Sequence, residues 1–418
     1  MWKIFKANSI DLPVFVNLKA PLLCSLLAWL LAMAAIGTIT GFIFFSLYLV
    51  YFALCGVSLL YIVSQGITRL NVTYVCMFIF FGVSALLAKE DFFNPMRRYG
   101  LFLFISLLCS PCVVSPLAVT FRSLLFRNML ILSSILALGS FFCYFIGINY
   151  MPLHLGRTDL VGNVTHTGMF GGLFVQSMVL GPMSALAALI FFNSYQNESK
   201  KIYMVLFLLA AATTLLSASR GAVLSLAVPV VYSLLFIRGG IERSKSKMIW
   251  LLIVALVVSI PVMDRLSSGL LAKQASNIEE GGTMSSREGL WNARLDEFQQ
   301  SPVCGIGFCS IDRKYLPEHS IIIEPGSSHL AVLSMTGILG MIPYILVLLM
   351  SYRSVQGKND AVAKFRLCAF LAIITHGFIE GYALSAGSVL FLYYWLIIGQ
   401  CVDYKEVFVL HLVQRSSN

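Results

Sequence analysis

Charged residues are scarce in this sequence. Only 11% of its 418 residues are Asp, Glu, Lys or Arg, against about 25% in an ordinary soluble domain. Apolar residues make up 58%, and the mean hydropathy is +0.86. This composition excludes a soluble globular chain, a disordered chain and a disulfide scaffold. It leaves room for about a dozen membrane spans of about 20 residues each.

The sequence also lacks the short motifs of several common enzyme classes. It has no pair of CxxC motifs, no HExxH and no Walker-type GxxxxGK[ST]. No pair of carboxylates or histidines shows metal-ligand spacing, so we expect no metal and no other cofactor. No internal repeat is visible either, so the sequence gives no support to an inverted-repeat transporter.

Long apolar runs predict an all-α, polytopic membrane protein of about 12 transmembrane helices. We treat residues 1–418 as a single integral membrane domain, in which the residues 264–328 form a loop between the ninth and tenth spans. We expect the first run to be retained as a span. The predicted spans are 20–36, 41–63, 72–88, 100–114, 129–148, 168–192, 202–217, 222–236, 249–263, 330–350, 365–379 and 384–400.

Basic residues give these spans an orientation. If the N-terminus is cytoplasmic, 18 of the 29 Lys and Arg fall on the cytoplasmic side, and the short external loops hold five. Positive charge favours the cytoplasmic side of short loops. We therefore predict that both termini are cytoplasmic. The net charge of +10 is then an orientation signal and no indication of nucleic-acid binding.

Two external arginines are the first candidates for a site. Arg220 lies between two spans with almost no loop, where a guanidinium is costly unless it is paired or functional. The alternative is an interfacial arginine whose head reaches into water. Arg287 follows Ser285 and precedes Glu288 in a capping-box pattern that opens a helix ending near Ser301.

Arg287 would lie in the first turn of that helix, where free N–H groups and the helix dipole favour an anion. A solvated arginine paired with Glu288 is equally compatible with the local sequence. The predicted apolar face of the helix carries Leu290, Trp291, Leu295 and Phe298.

The rest of the predicted external surface is rich in polar groups. It contains five of the six histidines, and the two glycines of the 302–308 segment predict a tight turn back to the membrane. Cys304 and Cys309 share the long loop, and whether they pair stays open. Three arginines beside carboxylates suit a diphosphate ligand with a nearby general base. These groups are Arg157, Arg220, Arg287, Asp159, Glu324, Glu380, His154, His166, His319, His329 and His376.

These residues resemble the bacterial O-antigen ligase and O-antigen polymerase superfamily of membrane glycosyltransferases. The resemblance lies in the twelve-span layout with one large late loop, in SRGA at 219–222, and in SSREGLWNARLDEFQQSPVCGIGF at 285–308. The family is also resembled by the segment 330–340, LAVLSMTGILG, and more loosely by the segment 157–168, RTDLVGNVTHTG.

The resemblance implies a GT-C-like fold in the bacterial inner membrane, with the site facing the periplasm. Such enzymes move a glycan from undecaprenyl diphosphate to an acceptor hydroxyl without a metal. By resemblance Arg220 and Arg287 would bind the diphosphate, with Arg157 as a weaker third member. His329 is the first candidate for the catalytic base, and Glu380 and Glu324 are its substitutes.

One departure affects the function. The family's ligases usually carry a His-Asn pair where this chain has Gly326 and Ser327. We therefore favour a polymerase of O-antigen, capsule or exopolysaccharide repeat units over a ligase that uses lipid A–core. A lipid-linked glycan transporter or flippase is a remote third reading. The expected partners are the lipid-linked donor, a glycan or lipid A–core acceptor, membrane lipids and a chain-length regulator.

Overall fold

The computed structural model of the chain describes residues 12–41, 47–88, 94–151, 160–161, 164–165, 169–236, 286–315 and 325–416. These residues are mostly helical, which confirms the predicted all-α class. The helices are α1 Leu22–Gly37, α2 Tyr48–Ser64, α3 Val72–Leu86, α4 Pro95–Cys109, α5 Pro116–Ile146, α6 Ser177–Glu198, α7 Lys201–Leu216, α8 Arg220–Phe236, α9 Ser286–Gln300, α10 Ser328–Val355, α11 Ala361–Ile379, α12 Val389–Val402 and α13 Tyr404–Ser416.

Four of these helices are long and apolar enough to cross a membrane: α5, α6, α10 and α11. Eleven of the twelve predicted spans overlap a helix. The run at 249–263 lies outside the described residues, and so do residues 264–285 and 316–324 of the predicted 264–328 loop. The count of twelve spans stays a prediction. Two short antiparallel pairs, Arg69–Leu70 with Val113–Val114 and Leu160–Val161 with Val164–Thr165, do not change the class.

Helix α6 lies in the middle of the bundle. Almost all of it is buried, and it packs against α5, α7, α8 and α11. Helix α11 in turn contacts α8, α10 and α12. Because α11 is shared by all these neighbours, its last turn is where several helix ends meet. That end of the bundle carries the candidate site.

The start of α5 differs from the prediction, because the helix begins at Pro116 and not near 129. Ser115 caps it by accepting a hydrogen bond from the Ala118 N–H at 3.1 Å. The charge of Arg122 made this stretch resemble a loop. That guanidinium is buried, however, and it forms a two-pronged pair with Asp403, at 2.7 and 3.1 Å. A buried pair lets a charged residue lie inside an apolar helix.

Helix α10 is broken at Gly337, where the backbone has φ +63°. The predicted turn after α9 fits into this break. Ile306 N–H donates to the Ser334 carbonyl at 3.0 Å, and Ile338 N–H donates to the Pro302 carbonyl at 2.9 Å. A Cβ at Gly305 would lie 2.3 Å from the Met335 carbonyl carbon, so the two backbones touch. The contact holds α9 against α10 and so sets the position of Arg287.

The ten cysteines are free, so the structure contains no disulfide between Cys304 and Cys309. Cys309 is buried, and its thiol donates to the Leu384 carbonyl at 3.3 Å. The 302–309 turn is therefore held by hydrogen bonds to α10 and to the segment before α12.

Candidate functional site

The candidate site lies where α8 and α10 begin, α11 ends and α9 crosses over them. Gly221 in the first turn of α8 touches α11, since a Cβ there would lie 3.3 Å from the His376 ring. Gly377 touches α10 in the same way, with a Cβ position 3.3 Å from His329 Nε2. Because neither glycine has a side chain, α8 can approach α11 at Gly221, and α10 can approach α11 at Gly377.

Arg220 is the first residue of α8, and serines shape the turn before it. Ser217 Oγ accepts a hydrogen bond from Ser219 N–H, and Ser219 Oγ accepts one from Ala222 N–H, both at 3.3 Å. Ala218 between them has φ +54°, so α7 and α8 join in a very short turn. Arg220 is half-buried and begins the helix, at the positive end of its dipole. This is a favourable place for an anion.

Arg287 pairs with Glu380. Its Nη2 lies 2.6 Å from Glu380 Oε1, and the two side chains are 13% and 15% exposed. Neither local reading of Arg287 included this partner, which is 93 residues away. Glu288 is exposed. The structure thus brings together two predicted site residues in one charge-assisted pair that solvent and a ligand can reach.

The start of α10 holds Glu380 in place. The Glu380 carbonyl accepts hydrogen bonds from Ser328 N–H at 3.0 Å and from the Ser328 hydroxyl at 2.7 Å. Ser328 Oγ also accepts the Tyr382 N–H at 3.0 Å. On the other side, Trp291 Nε1–H donates to the Gly326 carbonyl at 3.1 Å, which ties α9 to the same segment.

His329 faces the interior of the bundle, and both of its ring nitrogens have partners. Nε2 lies 3.1 Å from the Ile374 carbonyl, which can only accept, so Nε2 carries the proton. Nδ1 then accepts from the Tyr344 hydroxyl at 2.8 Å, and Tyr344 bonds the Tyr394 hydroxyl. This arrangement fixes the start of α10 on α11. Whether His329 also acts as a base stays a prediction.

His376 was among the external histidines of the sequence analysis but was given no role there. Its Nδ1 lies 3.1 Å from the Tyr382 hydroxyl, which donates to the Ile373 carbonyl and therefore accepts from Nδ1–H. Among the described residues, Nε2 has no hydrogen-bond partner. It lies beside Gly221 in the first turn of α8. The usable sequence signal was an imidazole one helical turn before Glu380.

The buried face of α9 is rotated from the predicted one, of which Leu290, Trp291 and Phe298 are half-buried. Leu295 is 42% exposed, whereas Ala293, Arg294 and Glu297 are buried against α10. Arg294 Nη2 pairs with Glu297 Oε1 at 2.6 Å, and Glu297 Oε1 also accepts from Asp312 N–H at 2.9 Å. Burial lowers the pKa of Arg294 and raises that of Glu297 to about 7. Desolvation of the two charges thus outweighs their attraction.

The raised pKa of Glu297 predicts a pH dependence of stability. The folded chain binds this proton more tightly than the unfolded chain, so the free energy of unfolding falls as the pH rises from about 4.5 to about 7. Glu297→Gln is expected to flatten the dependence of the unfolding temperature over this range. Glu288→Gln, at an exposed position on the same helix, is the control. An unchanged slope in Glu297→Gln would contradict the assignment.

Several candidate residues lie outside the described residues: Arg157, Asp159, Glu324, His154, His166 and His319. Ser285, the predicted cap of α9, also lies outside them. Among the residues that are described, no three or more of His, Cys, Asp and Glu are grouped so as to hold a metal ion.

A family model described as O-antigen ligase matches residues 205–348, about a third of the chain. This confirms the resemblance to the O-antigen ligase and O-antigen polymerase superfamily. The matched region runs from α7 into α10, so it contains Arg220, Arg287 and His329 and ends before Glu380. No curated protein matches the chain.

Proposed function

We propose that this chain is a membrane glycosyltransferase that moves a glycan from undecaprenyl diphosphate to a sugar hydroxyl on the periplasmic side. The Arg287–Glu380 pair carries this proposal. In this pair, a cation that can bind a diphosphate lies beside a carboxylate that can accept a proton, and both are partly exposed. Arg220 supplies a second cation at the neighbouring helix start. The O-antigen ligase match covers both arginines.

The residues divide the chemistry between donor and acceptor. The diphosphate binds Arg220 at the start of α8 and draws Arg287 away from Glu380. The freed Glu380 carboxylate accepts the proton of the acceptor hydroxyl as the acceptor oxygen bonds to the sugar C1. The bond from C1 to the diphosphate oxygen breaks, and the arginines neutralise the charge on the leaving lipid diphosphate. Proton and leaving group are thus both accounted for, and the step needs no metal.

Glu380 is the base we favour, and His329 is the alternative. Glu380 ends α11 on the partly exposed side, while both ring nitrogens of His329 are occupied by protein groups. His329 would have to break a bond to Tyr344 before it could accept a proton. In the favoured scheme it positions the start of α10. Arg157 is kept as a third diphosphate ligand by resemblance alone.

The position of Gly326 favours a polymerase over a ligase. The backbone there has φ +72°, and a Cβ would lie 2.7 Å from the Leu290 Cβ. The histidine of the ligase pair does not fit this position unless α9 moves. The packing of α9 therefore requires a glycine at position 326, where the family's ligases have the histidine. The ligase is the second candidate, because the matching family model is described as O-antigen ligase.

Localisation and partners follow from the same proposal. The chain would lie in the bacterial inner membrane with both termini in the cytoplasm. It would use a lipid-linked glycan as donor and a growing glycan as acceptor, with a chain-length regulator as a further partner. Lipid A–core replaces the growing glycan as acceptor if the chain is a ligase.

Deleting the chain from its host tests the proposal. We expect surface polysaccharide reduced to a single repeat unit on its carrier, measured by gel electrophoresis and mass spectrometry of the glycans. Free core together with lipid-linked polymer would instead show the ligase. Unchanged polysaccharide would contradict both. Uptake of lipid-linked glycan into proteoliposomes without a new glycosidic bond would show a transporter.

A further inference from the structure

A cavity of about 680 Å³ lies beside the candidate site. The end of α1 and the starts of α2, α4, α6 and α12 surround it. Its volume falls within the range of about 300–1,000 Å³ that is typical of small-molecule sites. The residues that matter for its chemistry are Tyr48, Phe52, Arg98, Gln176, Ser385 and Ser388.

The cavity lies close to the Arg287–Glu380 pair. Pro325 lines the cavity and touches Gly381, where a Cβ would lie 2.5 Å from the Pro325 Cβ. Gly381 directly follows Glu380, so the wall of the cavity lies against the residue next to the carboxylate. The two-substrate reaction proposed above needs a second substrate site near this base.

The walls of the cavity suit a sugar. The rings of Tyr48 and Phe52 are stacked, with centroids 6.5 Å apart. Gly387 opposite them leaves space, because a Cβ there would meet only the tip of the Phe52 ring, at 3.6 Å. Arg98 is half-buried and Gln176 is exposed, so a cation and an amide border the same space. Sugars offer C–H faces to aromatic rings and hydroxyls or acidic groups to such donors.

A hydrocarbon tail would match the apolar part of these walls, which is the larger part, but not their polar groups. It would cover Arg98 and Gln176 and give them no hydrogen bond in exchange, and burying polar groups without partners is costly. Arg98 and Gln176 thus favour an oligosaccharide over a polyprenyl chain.

We propose that this cavity binds the acceptor oligosaccharide and that Arg98 and the Tyr48–Phe52 rings hold the sugar next to the reacting one. The proposal rests on the proposed glycosyl transfer and adds a substrate site to it. It divides the molecule into a donor side at Arg220 and Arg287 and an acceptor side at Arg98, with Glu380 between them.

Two probes and three variants test the proposal. The purified full chain in lipid nanodiscs is titrated with undecaprenyl diphosphate and, separately, with oligosaccharide cut from the host's own surface polysaccharide. We expect Arg98→Gln to weaken oligosaccharide binding about tenfold, as for the loss of a charged hydrogen bond, and to leave undecaprenyl diphosphate binding unchanged. Arg97→Gln, at an exposed neighbour outside the cavity wall, should change neither.

Arg287→Ala separates this proposal from the proposed function. It should weaken undecaprenyl diphosphate binding and spare oligosaccharide binding. If it spares undecaprenyl diphosphate binding, the donor scheme fails, whatever Arg98→Gln does. If Arg98→Gln weakens undecaprenyl diphosphate binding instead, the cavity holds the lipid tail and the acceptor proposal is overturned. It is also overturned if the unmodified chain binds no oligosaccharide.

Discussion

Arg287→Ala is expected to abolish glycan transfer while the protein stays folded in the membrane. The variant removes the cation that would neutralise the leaving diphosphate, and it leaves Glu380 without the partner seen in the structure. Removing one such electrostatic group from an enclosed site lowers turnover by about 100- to 1,000-fold. Transfer is measured as product formed per folded molecule from a lipid-linked donor in proteoliposomes. Arg220→Ala should act in the same direction.

Two further variants give this prediction its control. Arg287→Lys keeps the charge but loses the planar two-donor geometry, so we expect partial activity. Arg313→Ala removes an exposed arginine from the 3₁₀ turn Arg313–Tyr315 and should leave transfer unchanged. Normal polysaccharide in a strain with Arg287→Ala would refute the diphosphate site.

The positions of the helices could be predicted because apolar runs and their breaks are local properties of the chain. The start of α5 could not, since it depends on a partner far away. Arg122 is tolerated inside the bundle only because Asp403 reaches it from the end of α12. The buried face of α9 could not be predicted in full for the same reason. Arg294 and Glu297 are charged, and their pairing lets them pack against α10.

Individual residues of the site could be predicted from the sequence, but the contacts between them could not. Arg220 and Arg287 stood out as cations at predicted helix starts on the external side, and the structure places both at helix starts. Nothing in the local sequence pairs Arg287 with Glu380. The inward orientation of His329 depends on Tyr344 and the α11 backbone, so it needed the packed bundle. The same packing brings His376 against Gly221 at the start of α8.

Glu380→Ala is expected to lower transfer by about 100- to 10,000-fold, the range for loss of a general base. The carboxylate lies at the end of α11, where it pairs with Arg287, and the next residue, Gly381, touches Pro325 of the cavity wall. Donor binding should be retained, because the arginines are still present. Added formate should restore part of the activity of Glu380→Ala, since a small carboxylate can occupy the vacated space and accept the proton. A carboxylate that only supports the fold would show no such rescue.

His329→Phe is the matched comparison, because it removes the other candidate base. It leaves the buried Tyr344 hydroxyl without its imidazole partner, which costs about 1–3 kcal/mol of stability. We therefore expect a lower unfolding temperature and near-normal turnover per folded molecule. If His329→Phe abolishes turnover while Glu380→Ala keeps it, the base is the histidine. The Tyr344 bond would then have to open during each cycle, and Glu380 would serve only to hold Arg287 in place until the diphosphate arrives.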